Sequence, residues 1–461
     1  MDPVLLAVLS GLFGLVCIGR EVYVILRAKR IRICNLFLIM YGVTYGVVLS
    51  LMMTLHAAGT YHIDGIYLRL DYSPQGLLRT FWWFLAAVAG YAAFQVGCAL
   101  RLEGAAKLRL SVLPWTLARS RRGGKTVRRR GGETNLEHLQ LTSVICLLLG
   151  LACFLIWARG WGGYQNLFLN AAAIRNGSYG VRNSVAFFAK PAQIVATVSV
   201  VAAMLIRRRR HTALNVVIFL FAFALSMLYY LAKDGRMVMA MYLLIVLFMW
   251  GDLFETQRHI GRRLAWLAAL FVVFVAVVLS MDQLLAPLRG KTLSAVDETL
   301  LEGMLDELGY IYVAGQTAVG ELVTQGSPML IGHDIGQALF AWLPSALTPD
   351  GLIDVWDYNT WLIASGNASA QYPTDLISTS IYDLGYAGPV LIPFAWGVGF
   401  HWLEKLFRDR RDPLTAVVYY SLSMTLIRVV NYSNLHYTVA AVFHLFVAAV
   451  IYWVVRRIRW K

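Results

Sequence analysis

The chain alternates between long hydrophobic runs and short polar connections over almost its whole length. Crossing roughly 30 Å of hydrocarbon takes about 20 mostly apolar residues in a helix. Eleven segments reach or approach that length, and we expect each of them to span a membrane as an α-helix. They are residues 5–19, 35–57, 81–100, 141–158, 191–206, 214–232, 237–253, 264–284, 388–402, 416–430 and 439–455.

Basic residues fall on alternate connections, and this pattern orients the predicted spans. Most of the 41 Lys and Arg residues lie in the stretches 20–32, 101–130, 207–210, 258–263, 405–411 and 456–461. No basic residue lies between Lys291 and Lys405. Connections that stay in the cytoplasm retain Lys and Arg. With the N-terminus outside and the C-terminus inside, the alternation of spans leaves every one of these basic stretches on the cytoplasmic side.

The predicted fold is therefore an all-α polytopic membrane protein in which residues 1–461 form a single integral membrane domain. Two connections are long: the basic cytoplasmic loop 101–140 and the outer loop 286–387. In the outer loop, apolar residues of 297–324 recur at three- and four-residue spacing with acids between them. This pattern predicts an amphipathic helix along the membrane surface. The shorter apolar stretch 329–343 predicts an interfacial or re-entrant helix.

Composition agrees with this class. Hydrophobic residues make up 59% of the chain and charged residues 15%, and the mean hydropathy is +0.61, values typical of membrane proteins. The net charge of +15 lies in short juxtamembrane loops, which favours contact with anionic lipid headgroups over binding of nucleic acid. The five cysteines show no CxxC or metal-ligand spacing, so we expect free thiols, no metal site and no cofactor.

A few cations fall on the predicted outer side, where the basic pattern does not explain them. Lys233 and Arg236 occupy a tight turn between two spans, and Arg428 lies inside the tenth predicted span. A charge at that depth is costly unless it faces a protein-lined cavity or reaches the headgroups. A guanidinium offers paired donors to a phosphate. We predict an anion site from these residues together with Arg175 and Arg182, with solvated loop charges as the alternative.

Candidates for proton transfer are less well defined. A base that deprotonates a hydroxyl must lie within hydrogen-bond reach of it. The outer segments contain carboxylates and imidazoles that would serve, and the sequence does not rank them. These candidates are Asp375, Asp383, His333, Asp334 and His436.

The outer loop is also rich in aromatic residues, among them Trp342, Tyr372 and Tyr382. Such side chains stack on sugar rings, and we take these three as candidate substrate contacts. The alternative is the belt of Trp and Tyr that lies at headgroup level in many membrane proteins.

The sequence lacks the motifs of several reaction classes, which excludes those classes. The sequence has no Walker A motif, no HExxH, no GxSxG and no DxD pair on the outer side for a nucleotide sugar with Mg²⁺. The energy for any bond that the protein forms would therefore have to be carried by its substrate.

Four segments resemble the Wzy-type polymerases of oligosaccharide repeat units, which act on O-antigen, enterobacterial common antigen and exopolysaccharides. YYLAKDGRMVMAMYLLIV, with Gly235 and Arg236, is similar to the glycine-arginine turn of that family. ALFAWLPSALTPD is similar to a proline-punctuated segment of the family's outer loop. QYPTDLISTSIYDLGYAGPVLIPFAWGVGF, with Gly385 and Gly388, places a G-x-x-G pair before a span. ETNLEHL, before the fourth span, is also similar to common-antigen polymerases.

The resemblance implies a metal-independent glycosyltransferase of the bacterial inner membrane, with a periplasmic N-terminus and outer loop 286–387. Donor and acceptor would be glycans linked to undecaprenyl pyrophosphate, and a chain-length regulator is a further expected partner. Arg236 would stabilise the leaving pyrophosphate, helped by Lys233, Arg175, Arg182 or Arg428. Asp375 and His436 are our own candidates for the base, since the family motifs do not assign it. The outer-loop segment lacks an arginine that some relatives carry.

Three other classes remain open at this point. A ligase similar to those that transfer O-antigen to lipid A core would share the donor and the arginines. A flippase or transporter would distribute charges through several mid-span positions. A membrane acyltransferase would need a His or Asp within a span, and only His401 and His444 come near that description.

Overall fold

A computed structural model of the protein describes residues 1–59, 70–100, 130–175, 179–181, 183–207, 213–233, 236–251, 259–279, 300–324, 330–331, 333–343, 347–349, 351–364, 371–407 and 413–457. Within these ranges the chain is helical and contains no β-strand. The first half contains α1 Pro3–Ala28, α2 Ile33–Gly42, α3 Leu49–Ala57, α4 Pro74–Ala99, α5 Arg130–Arg159, α6 Tyr164–Leu169, α7 Ala171–Arg175, α8 Ala189–Ala192, α9 Ile194–Arg207 and α10 Ala213–Ala232. The second half contains α11 Arg236–Gly251, α12 Ile260–Leu279, α13 Leu300–Thr324, α14 His333–Phe340, α15 Val355–Ala364, α16 Leu376–Leu384, α17 Gly388–Leu406, α18 Pro413–Ile427, α19 Leu435–Ala440 and α20 Phe443–Arg457.

Seven helical segments of the described chain are long and apolar enough to cross a membrane. They are Pro3–Ala28, Ile33–Ala57, Pro74–Ala99, Glu137–Arg159, Ala186–Arg207, Ala213–Ala232 and Leu435–Arg457. The prediction of an all-α protein with several membrane-spanning helices is thereby confirmed. Each of the other four predicted spans is also helical over its described residues, but α11 and α18 have only 16 and 15 residues.

Helix α1 shows how the bundle divides lipid-facing from buried surface. Val8, Leu12 and Leu15 leave more than half of their surface exposed along one face, whereas Leu6 and Cys17 on the opposite face are fully buried. Contact with lipid tails removes the cost of this exposed apolar surface, which water would impose. The buried face of α1 packs against α2 and α3.

A close crossing of backbones joins α1 to the second span. The segment Val43–Val48 between α2 and α3 is a π-helix, a form that often marks a local insertion in an α-helix. A Cβ atom added to Gly46 would lie only 2.3 Å from the Cα atom of Gly14. Small residues at such points let membrane helices approach closely, and this crossing fixes the π-helical segment against α1.

Helix α13 corresponds to the segment 297–324, for which we predicted an amphipathic helix along the membrane surface. The helix is present, but it does not lie along a surface, so that part of the prediction is wrong. Its residues from Tyr310 to Gln316 are buried in succession, on every side of the helix. Tyr312 donates to the carbonyl oxygen of Thr44 at 2.7 Å, and Gln316 donates to the Thr80 hydroxyl at 2.8 Å. The three- and four-residue spacing is correct for a helix, but the apolar face packs on α4 and α16.

The predicted short helix in 329–343 is present as α14 and packs against α19. The Asp334 carboxylate accepts a hydrogen bond from the backbone N–H of Leu435 at 3.0 Å. The indole N–H of Trp342 donates to the carbonyl oxygen of Val439 at 2.7 Å. These contacts hold the outer loop against the start of the last predicted span, beside the cavity described next.

Candidate functional site

A cavity of about 270 Å³ lies among helices α9, α10, α11, α18, α19 and α20. Its described lining includes three cationic side chains, Lys190, Lys233 and Arg428, together with His436 and His444. No Asp or Glu appears among its described lining residues. The cavity therefore presents positive charge that no described carboxylate neutralises, which is the arrangement an anionic ligand requires.

Lys233 lies one residue beyond the end of α10, in the turn that the sequence singled out. Its Nζ atom lies 5.4 Å from the centre of the Tyr229 ring, a cation–π contact. By its accessible surface Lys233 is exposed, and it borders the cavity. Desolvation of the ammonium by the surrounding protein, with a smaller contribution from the positive charge of Arg428, lowers the pKa of Lys233 to about 8.

Arg428 begins a single 3₁₀ turn, Arg428–Val430, that follows α18. Its carbonyl oxygen accepts from the backbone N–H groups of Asn431 and Tyr432 at 3.0 and 2.9 Å, so the backbone that carries the guanidinium is fixed. Within the described chain, the guanidinium has no acceptor at hydrogen-bond distance, and the phenol groups of Tyr230, Tyr310 and Tyr432 interact with it electrostatically. Arg428 also lines the cavity, where a guanidinium can donate paired hydrogen bonds to an anionic ligand.

Lys190 is the third cation and comes from the segment that leads into α9. Its Nζ atom donates to the carbonyl oxygens of Ala341 and Leu343, at 2.8 and 3.2 Å. Lys190 thus links the residues that follow α14 to the edge of the cavity. It also repels Lys233 electrostatically, which places the two ammonium groups near one another. A bound anion would relieve this repulsion.

His436, in α19, lies on the same cavity. Its Nδ1 atom lies 3.0 Å from the carbonyl oxygen of Gln337 in α14. The Asp334 carboxylate accepts from the backbone N–H of His436 and interacts electrostatically with the ring. Burial raises the pKa of Asp334 to about 6, and these N–H groups oppose the rise. His436 is thereby held by α14 at the edge of the cationic cavity.

The cavity changes character along its length. Lys190 and Gln193 lie at one end of the segment that contributes α9, and Ala196 and Val200 follow on the same face. At about 1.5 Å per residue, Lys190 and Val200 are separated by roughly 15 Å along the helix. Met241 and Ile245 of α11 also line this part, together with the polar side chains of Thr197, Ser421 and Thr425. A cationic end and a mainly apolar depth match a ligand with a charged head and a hydrocarbon tail.

The structure therefore brings together three of the residues predicted from sequence, Lys233, Arg428 and His436. Arg236 begins α11, whose later residues Val238 and Met241 line the cavity, but its side chain is outside the described part of the structure. The side chain of Arg175 and the whole of Arg182 also lie outside the described residues. Their assignment to the anion site stays a prediction.

Asp375 occupies a different place. It is fully buried and caps the N-terminus of α16 by accepting from the backbone N–H groups of Ile377 and Ser378, at 2.8 and 3.1 Å. It also accepts from the hydroxyls of Ser378 and Tyr45. Burial raises its pKa to about 6, and these hydrogen bonds oppose the rise. Asp375 does not appear among the described lining residues of the cavity.

The three aromatic residues of the outer loop that we took as candidate sugar contacts all make contacts within the protein. Tyr382 is buried and its hydroxyl donates to the side-chain oxygen of Asn359 at 2.9 Å. Trp342 stacks on Phe446 with ring centres 5.0 Å apart. The backbone N–H of half-buried Tyr372 donates to the Thr360 hydroxyl at 2.7 Å. None of the three lines the described cavity, and their contact with sugars stays a prediction.

Other lining residues were not singled out as substrate contacts from the sequence. Lys190 was one basic residue among several on the outer side, and Gln193, Tyr229, Tyr230 and Tyr242 lie in apolar runs. One signal was available: Tyr229, Tyr230, Lys233, Met241 and Tyr242 all belong to the segment YYLAKDGRMVMAMYLLIV, on which the family resemblance depends.

The chain matches no protein-family model, no curated protein and no solved structure.

Proposed function

We propose that the protein is a membrane glycosyltransferase that polymerises oligosaccharide repeat units linked to undecaprenyl pyrophosphate, at the periplasmic face of the bacterial inner membrane. The observation that carries this proposal is the convergence of Lys190, Lys233 and Arg428 on one cavity that has an apolar depth and no described acid. The proposal includes the eleven-span topology, which places this cavity and the α13–α16 loop on the outer side.

The cations would act on the leaving group. Transfer of a growing glycan forms a bond between an acceptor hydroxyl oxygen and the anomeric carbon, and it breaks the bond from that carbon to the pyrophosphate oxygen. Negative charge then grows on the pyrophosphate. Lys233 and Arg428, held at the ends of α10 and α18 on the lining of the cavity, would stabilise that charge. Such preorganised electrostatic stabilisation is usually the largest catalytic contribution.

His436 would accept the proton that the acceptor hydroxyl loses. A carbonyl oxygen only accepts hydrogen bonds, so the contact to Gln337 places the imidazole proton on Nδ1. Nε2 is then the basic nitrogen of the ring. The Asp334 carboxylate interacts electrostatically with the same ring. Asp375, whose oxygens already accept several hydrogen bonds, would stabilise the fold instead.

The pairing of charge with apolar depth also favours a lipid-linked donor over a free one. The face formed by Ala196, Val200 and Ile245 offers contact to the first isoprene units of the carrier, while the cations hold the pyrophosphate. A ligase that moves glycan to lipid A core would use the same donor and the same cavity, so the acceptor decides between the two activities.

The experiment is an incubation of the purified protein in detergent or proteoliposomes with repeat units linked to undecaprenyl pyrophosphate, without nucleotide or metal. We expect a ladder of products that differ by one repeat unit. Transfer of glycan only when lipid A core is added would show a ligase instead. Intact starting material under both conditions would contradict the proposed transferase function.

A further inference from the structure

A second cavity, of about 180 Å³, lies at the other end of the bundle. Its lining includes Arg20, Arg32, Cys34, Cys98, His401 and Glu404. Glu404 accepts from the hydroxyl of Tyr419, early in α18, whereas Arg428 follows the end of the same helix. Nine residues of helix separate Tyr419 from Arg428 by roughly 13 Å, and the two cavities share no described lining residue, so they are distinct.

Two thiols meet at this second cavity. The Sγ atoms of Cys34, at the start of α2, and Cys98, at the end of α4, lie 3.7 Å apart. All five cysteines of the chain are free thiols, and Cys17, Cys146 and Cys153 are buried. Cys34 and Cys98 are only partly buried, and both line the cavity. They form the one cysteine pair that combines sulfur contact with access to a cavity in the described structure.

We propose that Cys34 and Cys98 form an oxidative modification site, in which a small hydroperoxide that enters the second cavity converts the two thiols into an intramolecular disulfide. A thiolate first attacks the peroxide oxygen, which breaks the O–O bond, releases water or an alcohol and leaves a sulfenic acid. The second thiol then attacks that sulfur and releases water. Two thiols and one hydrogen peroxide thus give one disulfide and two molecules of water.

The geometry permits the disulfide between Cys34 and Cys98 to form with a small movement of the side chains. A disulfide has an S–S length of about 2.05 Å, so the sulfur atoms must approach each other by roughly 1.7 Å. Cys98 is restrained, because its Sγ atom contacts the carbonyl oxygen of Gly397 at 3.4 Å, where α4 and α17 cross closely. Cys34 lies in the first turn of α2, just after the turn that ends α1, and rotation of its side chain supplies the movement.

The surroundings favour a small oxidant. The cavity is lined by charged side chains of both signs, the guanidinium groups of Arg20 and Arg32 and the carboxylates of Glu21 and Glu404, so it is a polar space that a small polar oxidant can enter. A water molecule takes about 30 Å³ of the liquid, so hydrogen peroxide fits this space. Glutathione disulfide is many times larger, and we expect the pair to exclude it.

The test uses the full-length protein in detergent, treated with hydrogen peroxide, denatured in N-ethylmaleimide and digested for mass spectrometry. We expect one linkage between the peptides of Cys34 and Cys98, reversed by dithiothreitol, with Cys17, Cys146 and Cys153 alkylated. Glutathione disulfide at the same concentration should leave all five thiols alkylated. Alkylation of Cys34 and Cys98 after peroxide to the same extent as the other three would overturn the proposal.

Two variants sharpen the result. Cys146→Ser should keep the linkage, since Cys146 lies on α5 and faces neither thiol. Cys98→Ser should leave a sulfenic acid on Cys34 that dimedone traps, because no second thiol resolves it. Irreversible sulfinic acid on Cys34 in the wild-type protein, without any linkage to Cys98, would also contradict the inference. The readout on the wild-type chain is independent of whether either variant folds.

Discussion

The Nδ1 atom of His436 lies 3.0 Å from the carbonyl oxygen of Gln337, so α14 of the outer loop positions an imidazole at the rim of the cationic cavity. The contact fixes the tautomer, as the second hydrogen bond of an active-site histidine commonly does. The outer loop therefore acts on the site through its contact with His436. None of the loop's acidic residues is among the described lining residues of the cavity.

Replacement of His436 with Gln should slow polymerisation by about 10²–10⁴-fold, the usual contribution of a positioned base. Binding of undecaprenyl pyrophosphate should stay within a few-fold of wild type, because the cations hold that group. Rates of ladder formation and binding of the carrier are measured on the same preparation. His259→Gln, at an exposed residue before α12, is the matched control. Normal turnover in the His436 variant would remove the imidazole from the mechanism.

Arg428→Ala should reduce polymerisation by at least about 100-fold, since one donor to a developing oxyanion contributes on that scale. Arg428→Lys should retain part of the activity, because an ammonium keeps the charge and loses the paired donors. The rate is measured per molecule of membrane-inserted protein. Arg262→Ala changes an exposed arginine at the start of α12 and should leave the rate unchanged. Equal rates for Arg428→Ala and Arg262→Ala would contradict the proposed role.

Binding of undecaprenyl pyrophosphate should weaken as the pH rises through about 8. Lysine carries its charge below its pKa, and the lowered value at Lys233 means that this cation is lost over that interval, while the phosphates are already ionised. We expect roughly a 10-fold or greater loss of affinity between pH 7 and pH 9.5, the scale of a charged hydrogen bond. Titration of the binding constant measures it.

Lys233→Arg supplies the control for this pH dependence, because a guanidinium stays charged throughout the range. Its affinity should be nearly constant from pH 7 to pH 9.5. If the arginine variant loses affinity in parallel with the wild-type protein, then another group titrates and Lys233 is not the cause.

Asp375→Asn should leave polymerisation per folded molecule within a few-fold of wild type. An amide oxygen still accepts from Tyr45 and from the N–H groups that begin α16, whereas a general base would be lost in this variant. Asp375→Ala should instead lower the melting temperature, because removal of a helix cap costs about 0.5–2 kcal/mol and buried donors lose their acceptor. An inactive Asp375→Asn variant with wild-type melting temperature would restore Asp375 as a catalytic candidate.

Hydrophobic patterning was sufficient to predict where the long apolar helices of the described chain lie, because apolar runs and turn residues are local properties of the chain. Val8, Leu12 and Leu15 expose their side chains on α1 as a lipid-facing stripe should. The same patterning failed for α13, because the period of an apolar face does not say whether lipid or protein covers it. Its burial depends on Trp83, Thr80 and Thr44, which come from distant parts of the chain.

The candidate site was partly predictable for a related reason. Lys233 and Arg428 stand out in sequence because charge beside an apolar span is costly, and in the structure both line the same cavity. Lys190 carries no such signal, since it precedes its span among other loop cations. From the sequence alone, Asp375 is a candidate general base. The structure shows instead that its carboxylate caps α16 by accepting from the backbone N–H of Ser378, and that it also accepts from the Tyr45 hydroxyl.

The most direct test is photo-crosslinking with a polyprenyl pyrophosphate whose first isoprene units carry a photoreactive group. The account predicts that crosslinks map to α9 and α11, near Val200 and Ile245, and that undecaprenyl pyrophosphate competes with them but undecaprenol does not. Arg428→Ala should weaken the same crosslinks. Crosslinks confined to the outer faces of the bundle, or equal competition by undecaprenol, would contradict a pyrophosphate-carrier site in this cavity.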